Sequence, residues 1–401
     1  MSKRSSSPTG QGQLVKRSKS DEPSNANQIA ISSNNDPRNK ALVRNVQRTS
    51  NLEAPIVSLA GAHSSEILSC RFSPNGQNVA ACSSDRSISL WRTYPPNTNY
   101  ALLSALTKAP ILDLQWSKFS PIIYAVSADH LLSMVDTTTG QRVRKIRAHK
   151  EIINCVDNVI AGGAGVELVA TGSDDGTVKV WEGAESSAGD LADGGKRAVA
   201  TLEVGCPVTA VAWSQDGQTL YAGAVDNEIH VGFCVPFLLR LFYKPSDASL
   251  HSIKVFDFRK QAEISTLSGH TETPTSLAIS PNGQFILSPS LSSQTLIHDI
   301  RPFAPSPTRI HRTLHGAPAG FENTLLRGAW SKDDGGKRVA VGGADRMVCI
   351  WDVESAKILY KLPGHKGTVT SVDFHPQEPI ILTGSKDGTM ILGEIEPSVT
   401  T

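Results

Sequence analysis

The chain has 401 residues, of which 39% are apolar, 19% charged and 6% aromatic, with 32 glycines and 23 prolines. No apolar run reaches the roughly 18 residues of a membrane span, and the polar N-terminus lacks a secretory core, so neither a membrane nor an export role is expected. Nine Lys/Arg against three Asp/Glu put residues 1–50 at +6 within a net charge of +1; the other 351 residues sum to −5, which argues against the body as a general grip for a phosphate backbone.

The first fifty residues are rich in Ser, Asn and Pro and poor in aromatics, a composition that predicts disorder. Two basic clusters, Lys3-Arg4 and Lys16-Arg17 with Lys19, stand 11 residues apart. That spacing suits a bipartite nuclear-import signal, against the plainer reading of a solvated basic tail. The folded domain is expected over 51–397, beginning with one lone strand in "APIVSLAG" (54–61).

From there the chain repeats itself. "SSDRSISLW" (83–91), "GSDDGTVKVW" (172–181), "GGADRMVCIW" (342–351) and "GSKDGTMILG" (384–393) each run from small residues through an Asp to an alternating strand ending six residues later. "SADHLLSMVD" (127–136) follows the pattern with Val135 at the Trp position. The strand ends fall at 91, 135, 181, 256, 298, 351 and 393, mostly near the ~40–45-residue period of WD repeats, each of which builds one four-stranded blade. Seven copies predict an all-β, seven-bladed β-propeller. The last repeat stops after its third strand, so the strand at 54–61 is expected to complete it and leave no open edge.

A Gly/Ala-His pair precedes four copies, at His63, His149, His270 and His365. The Asp positions are Asp85, Asp129, Asp175, Asp226, Asp345 and Asp387, with Ser292 replacing the fifth; Trp91, Trp181 and Trp351 end their strands. These residues read as structural locks, with His, Asp and indole sharing a polar network beneath a loop. A catalytic His/Asp pair would be expected once, whereas this one recurs, so no catalytic, cofactor or metal residue is expected. Blades two, four and six lack the leading Gly-His and are expected to rely more on packing. The six cysteines (Cys70, Cys82, Cys155, Cys206, Cys234 and Cys349) are scattered without a C-x-x-C pair, which favours reduced thiols over disulfides or zinc ligands.

One blade is interrupted. Asp226 lies 30 residues before Phe256, an excess of 24 over the usual six, and removing 24 residues near 230–253 restores "DNEIKVFDFR". The extra segment contains "VGFCVPFLLRLFY" and falls within a strand, where it breaks the ladder, instead of at a turn, where insertion costs little. It reads as unspliced intron sequence; the alternative is a genuine surface insertion that touches a partner or membrane. If the chain is made as written, either half of the strand can still pair. Further on, 182–196 is an acidic Gly/Ala/Ser-rich loop, and 301–320 a proline-rich basic excursion.

Several stretches carry a more specific likeness: "LEAPI" (52–56), "DIRPFAP" (299–305), "FENTLLRGAWS" (321–331), "ILYKLPGH" (358–365) and "FHPQEPII" (374–381). In register from about Leu52 to Glu396, the chain resembles the WD-repeat subunits of the U5 small nuclear ribonucleoprotein. The resemblance implies a nuclear, non-enzymatic scaffold in pre-mRNA splicing that binds the large U5 scaffold protein and other proteins of the particle. It implies a monomer within a larger complex, without cofactor or membrane contact. RNA contact is expected to be indirect or through the tail. The alternative is a generic nuclear adaptor in a ubiquitin ligase or chromatin complex.

Overall fold

The computed structural model describes residues 49–396, except 105, 162–164, 185–196, 234–254, 257–264 and 305. The tail with Lys3, Arg4, Lys16, Arg17 and Lys19 therefore lies outside the described residues, as do most of the acidic loop and most of the 230–253 segment.

The described strands form seven sheets, each with its strands in sequence order from the inside outward, apart from the last. The innermost strands line a central channel: Ile67–Phe72, Ile111–Trp116, Ile153–Ile160, Val208–Trp213, Ala278–Ile279, Gly328–Trp330 and Val369–Phe374. They are largely buried on both faces because a neighbouring blade covers each side. Seven clusters of buried side chains result, one at each seam between blades.

Blade seven closes the ring. Its inner three strands come from the C-terminal end of the chain, and Ile56–Leu59 supplies the fourth, with Ile56 opposite Gly393 and Leu59 opposite Met390. Leu52 and Leu59 are buried in the seam between blades seven and one, so the closing strand contributes core as well as ladder. The backbone N–H groups of Thr49 and Ser50 donate to Glu394, each at 3.1 Å, and extend the clasp by one turn of chain.

Blade four departs from the expected strand. Its third strand is Ile229–Phe233, antiparallel to Thr219–Ala224, so residues 230–233 lie in the ladder. Gly232 faces Leu220 just as Trp181 faces Val169 in blade three; the strand end is therefore Gly232, not Phe256. Val255–Phe256 lies beside the same strand in parallel, Val231 opposite Val255 and Gly232 opposite Phe256. Each of those pairs is 24 residues apart, which is the excess read from the sequence. The two candidate halves of one strand thus lie side by side. Ile229–Phe233 takes the inner place because it follows the Asp226 turn without a break, whereas the second half must first close a long loop. Ser265–Leu267 pairs antiparallel at the start of the same strand and supplies a short outer edge.

Candidate functional site

The turn that carries each repeated Asp has one geometry around the whole ring. The following residue is left-handed in all seven blades: Arg86, His130, Gly176, Asn227, Ser293, Arg346 and Gly388, with φ between 64° and 76°. Only Gly176 and Gly388 adopt this without a steric cost. In five blades the Asp side chain accepts the N–H two residues on: Ser87 to Asp85, Thr177 to Asp175, Glu228 to Asp226, Met347 to Asp345 and Thr389 to Asp387. A short carboxylate is the residue type that braces such a turn from within.

Blade three shows the full lock. His149 Nδ1 lies 3.1 Å from both Asp175 oxygens, its Nε2 lies 2.8 Å from Thr171 Oγ1, and Trp181 Nε1 donates to that hydroxyl at 3.0 Å. An ionised carboxylate can only accept, so Nδ1–H donates to Asp175, which leaves Nε2 to accept the Thr171 hydroxyl proton while that oxygen accepts from the indole. The Lys150 N–H also donates to Asp175, at 3.0 Å. The incoming loop, second strand, turn and third strand are thereby joined. Burial lowers the His149 pKa, against the pull of Asp175, so the ring is neutral at pH 7. Burial works to raise the Asp175 pKa, but Thr177, Lys150 and His149 bring it down to about 2.

The other blades vary this arrangement. In blade one Ala81 occupies the Thr171 position, and Ser89 takes over from the third strand: His63 Nε2 lies 2.7 Å from its hydroxyl, Trp91 Nε1 3.0 Å, and His63 Nδ1 lies 3.1 Å from Asp85. In blade seven His365 lies 3.3 Å from Asp387 and 2.8 Å from Thr383, with Gly393 at the Trp position. In blade five His270 reaches Ser288 at 2.7 Å, and His298 stands at the Trp position, its ring 5.7 Å from that of His270. The three blades without a leading His find other partners for their Asp. Asp129 accepts the Lys108 N–H at 3.1 Å, Asp226 pairs with His230 at 2.9 Å, and Asp345 pairs with Lys361 at 2.9 Å. In blade six the Trp351 indole donates to the His315 carbonyl.

A second set of charges was not singled out from sequence. Asp113, Asp157 and Asp373 sit on inner strands, and each accepts a backbone N–H from the next blade round: Val156, Trp213 and Phe72, at 3.1, 2.8 and 2.9 Å. Arg327, from blade six, crosses the channel to Asp113 at 3.0 Å and to the carbonyls of Leu112 and Asn154, both at 3.1 Å. Arg327 and Asp113 are both almost fully buried, so this strut joins blade six to blades two and three and bounds a cavity of about 550 Å³. An Asp within an otherwise apolar inner strand, as in "ILDLQW" and "VTSVDF", is the sequence signal that would have found them.

Among the described residues two aromatic side chains are fully exposed, Phe303 and Phe321. Phe303 lies between the third and outer strands of blade five, within the proline-rich excursion; Phe321 lies in the link to the inner strand of blade six. Because strands alternate in direction, those two connections emerge at opposite ends of the ring. Each end thus presents a bare ring of the size that docking anchors use.

Radial four-stranded blades, a repeated Asp turn and a ring closed by its N-terminal strand define a WD-repeat β-propeller. The family pattern described as "WD domain, G-beta repeat" matches residues 54–92, 140–182, 197–231, 261–299 and 356–392. Among curated proteins the chain is 33% identical over 350 residues to the pre-mRNA-splicing factor cwf17 of Schizosaccharomyces pombe, covering 87% of this chain and 90% of that one. It is 34% identical to the U5 small nuclear ribonucleoprotein 40 kDa protein of Dictyostelium discoideum, covering 89% of both chains, and 35% identical to that of Homo sapiens, covering 87% and 86%. The chain belongs to this family of WD-repeat proteins.

Proposed function

We propose that the protein is a non-enzymatic scaffold subunit of the U5 small nuclear ribonucleoprotein that acts in pre-mRNA splicing through protein–protein contacts, with the large U5 scaffold protein as its principal partner. The observation that carries this reading is an alignment along almost the whole length of relatives whose names state a splicing factor or a U5 particle protein. Three features support a role without catalysis. Both nitrogens of His63, His149 and His365 are committed within their locks, the imidazoles are held neutral by burial, and the same lock serves three blades. Exposed Phe303 and Phe321 supply an anchor at each end of the ring. The family relationship favours a nuclear location, and Lys3, Arg4, Lys16, Arg17 and Lys19 are the proposed import signal.

The test is affinity purification of the tagged full chain from nuclear extract. Recovery of U5 RNA together with the large scaffold protein is expected. Recovery of cullin or histone-modifying partners without U5 RNA would overturn the reading.

A further inference from the structure

In blades one, three and seven, a histidine on the incoming loop fastens that loop to the Asp turn. Blade four has Val204 at that loop position, two residues before Cys206, and fastens the same two parts differently. Cys206 comes from the loop that follows Ala200–Glu203, Asp226 from the turn, and His230 from the third strand. One ligand atom from each lies within 4.8 Å of the others.

We infer that Cys206, Asp226 and His230 form a binding site for a zinc-class divalent cation, which clamps the loop between blades three and four to the third strand of blade four. Four features of the site favour this class of ion. Thiolate, imidazole and carboxylate are together the donor set of zinc, with bonds of about 2.3 Å to sulfur and about 2.0–2.2 Å to nitrogen and oxygen. The three atoms lie within 4.8 Å of one another, so seating an ion at those bond lengths requires them to close by about 1 Å. His230 Nε2 already lies 2.9 Å from Asp226 Oδ2, across the four-residue offset between turn and strand, so two of the ligands are prearranged. Asp226 has 37% of its side chain exposed, which leaves an entry path and room for a water as the fourth ligand.

Binding is balanced by the loss of one proton. The Cys206 thiol releases its proton to solvent, and the imidazole stays neutral as its proton moves to Nδ1. Without metal the thiol is a poor nucleophile: burial, together with its hydrogen bond to Asp226, pushes its pKa up to about 12. The ion therefore replaces a proton in an existing contact instead of filling an open cleft. The site depends on His230. A chain lacking 230–253 would place Lys254 in that register and could not form it.

The test is titration of the reduced full chain with Co²⁺, followed by competition with Zn²⁺. Wild type should bind one Co²⁺ per chain with a thiolate charge-transfer band that Zn²⁺ abolishes, and its melting temperature should rise with added Zn²⁺. Cys206→Ser and His230→Gln should each lose the band and the thermal response while keeping the metal-free melting temperature within a few degrees. Cys234→Ser, which lies outside the described residues, should keep both. Absence of a thiolate band in wild type would overturn the proposal. So would a band that survives in Cys206→Ser or His230→Gln, which would mark an adventitious ion only.

Discussion

In blade three, Val169 faces Trp181, and the indole, Thr171, His149 and Asp175 form one chain of hydrogen bonds. At the corresponding positions blade four has Leu220, Gly232, Ala222 and Val204, with only Asp226 retained. The seams differ in the same sense. Thirteen buried apolar residues fill the space between blades three and four, and six fill that between blades four and five, among the described residues. A blade can evidently keep its place in the ring without the lock, provided its strands still pair and its neighbours cover it. The lock's role is then to fasten loops to blades, and strand pairing and the apolar seam carry the ring itself.

The largest expected effect tests whether the first half of the divided strand belongs to the fold. Val231 is 7% exposed and corresponds to Val180 in blade three, which is fully buried. Val231→Asp and Val180→Asp each place an unpaired carboxylate in a seam, at a cost of roughly 3 kcal/mol or more, out of a domain stability of about 5–15 kcal/mol. Chemical denaturation should show both variants severely destabilised. A harmless Val231→Asp would put the first half outside the ladder.

Next in size is deletion of His230–Ile253, which places Lys254 where blade three has Lys179, and Phe256 where it has Trp181. An aromatic in place of Gly232 buries surface worth about 1.5–3 kcal/mol, so the shortened chain should melt at a higher temperature than the full one. Earlier melting or aggregation of the shortened chain would show that the segment belongs to the domain.

Thr171→Val in blade three should cost about 1–3 kcal/mol, because it strands the Trp181 N–H and His149 Nε2 without a partner. Ala222→Thr, the reverse change in blade four, should bring no gain and should lower the melting temperature, because Ala222 is buried and Val204 and Gly232 offer its hydroxyl no lock to join.

The smallest effect concerns pH and extends the comparison to blade five, where His298 stands at the Trp181 position. Burial pushes the His270 pKa down to about 3, with His298 adding to the shift, and pushes that of His298 down to about 4. Unfolded, both would titrate near 6.5, so below that pH the unfolded chain binds protons that the native state refuses. Their contribution to stability is therefore complete above pH 6.5 and is lost as the pH falls from 6.5 toward 4. Melting temperature should drop across that window in wild type, and less so in His298→Phe. An equal drop in the variant would place the acid sensitivity elsewhere.

How far the sequence could be read depended on repetition. The seven blades were legible because the Asp turn recurs, with a left-handed residue after each such Asp, and the closing strand at 54–61 because the last repeat stops one strand short; of the locks, His63, His149, His365 and their Asp partners recur visibly, whereas the hydroxyls of Ser89, Thr171 and Thr383 that complete them do not. For the channel residues Asp113, Asp157 and Asp373 the sequence carries only a carboxylate within an otherwise apolar strand, and for Arg327 no signal, so their pairing was not legible. Their partners lie on other blades, as with the 214 residues between Arg327 and Asp113, and no local spacing records such a contact. The sequence points to Phe256 as the strand end of blade four because removing 24 residues restores the repeat pattern there. In the full chain Ile229–Phe233 pairs immediately after the turn, which puts the strand end at Gly232. The Cys206 site was missed because a thiol and a histidine 24 residues apart match no metal motif until the turn folds them together.

Hydrogen–deuterium exchange of the full chain, read by mass spectrometry over residues 226–258, tests the account of blade four most directly. Ile229–Phe233 is paired on both sides, to Thr219–Ala224 within and to the outer edge without, so its amides should exchange as slowly as those of Thr177–Glu182 in blade three. Rapid exchange over 229–233 together with protection over 254–257 would show that the second half of the divided strand occupies the ladder, and would contradict the account.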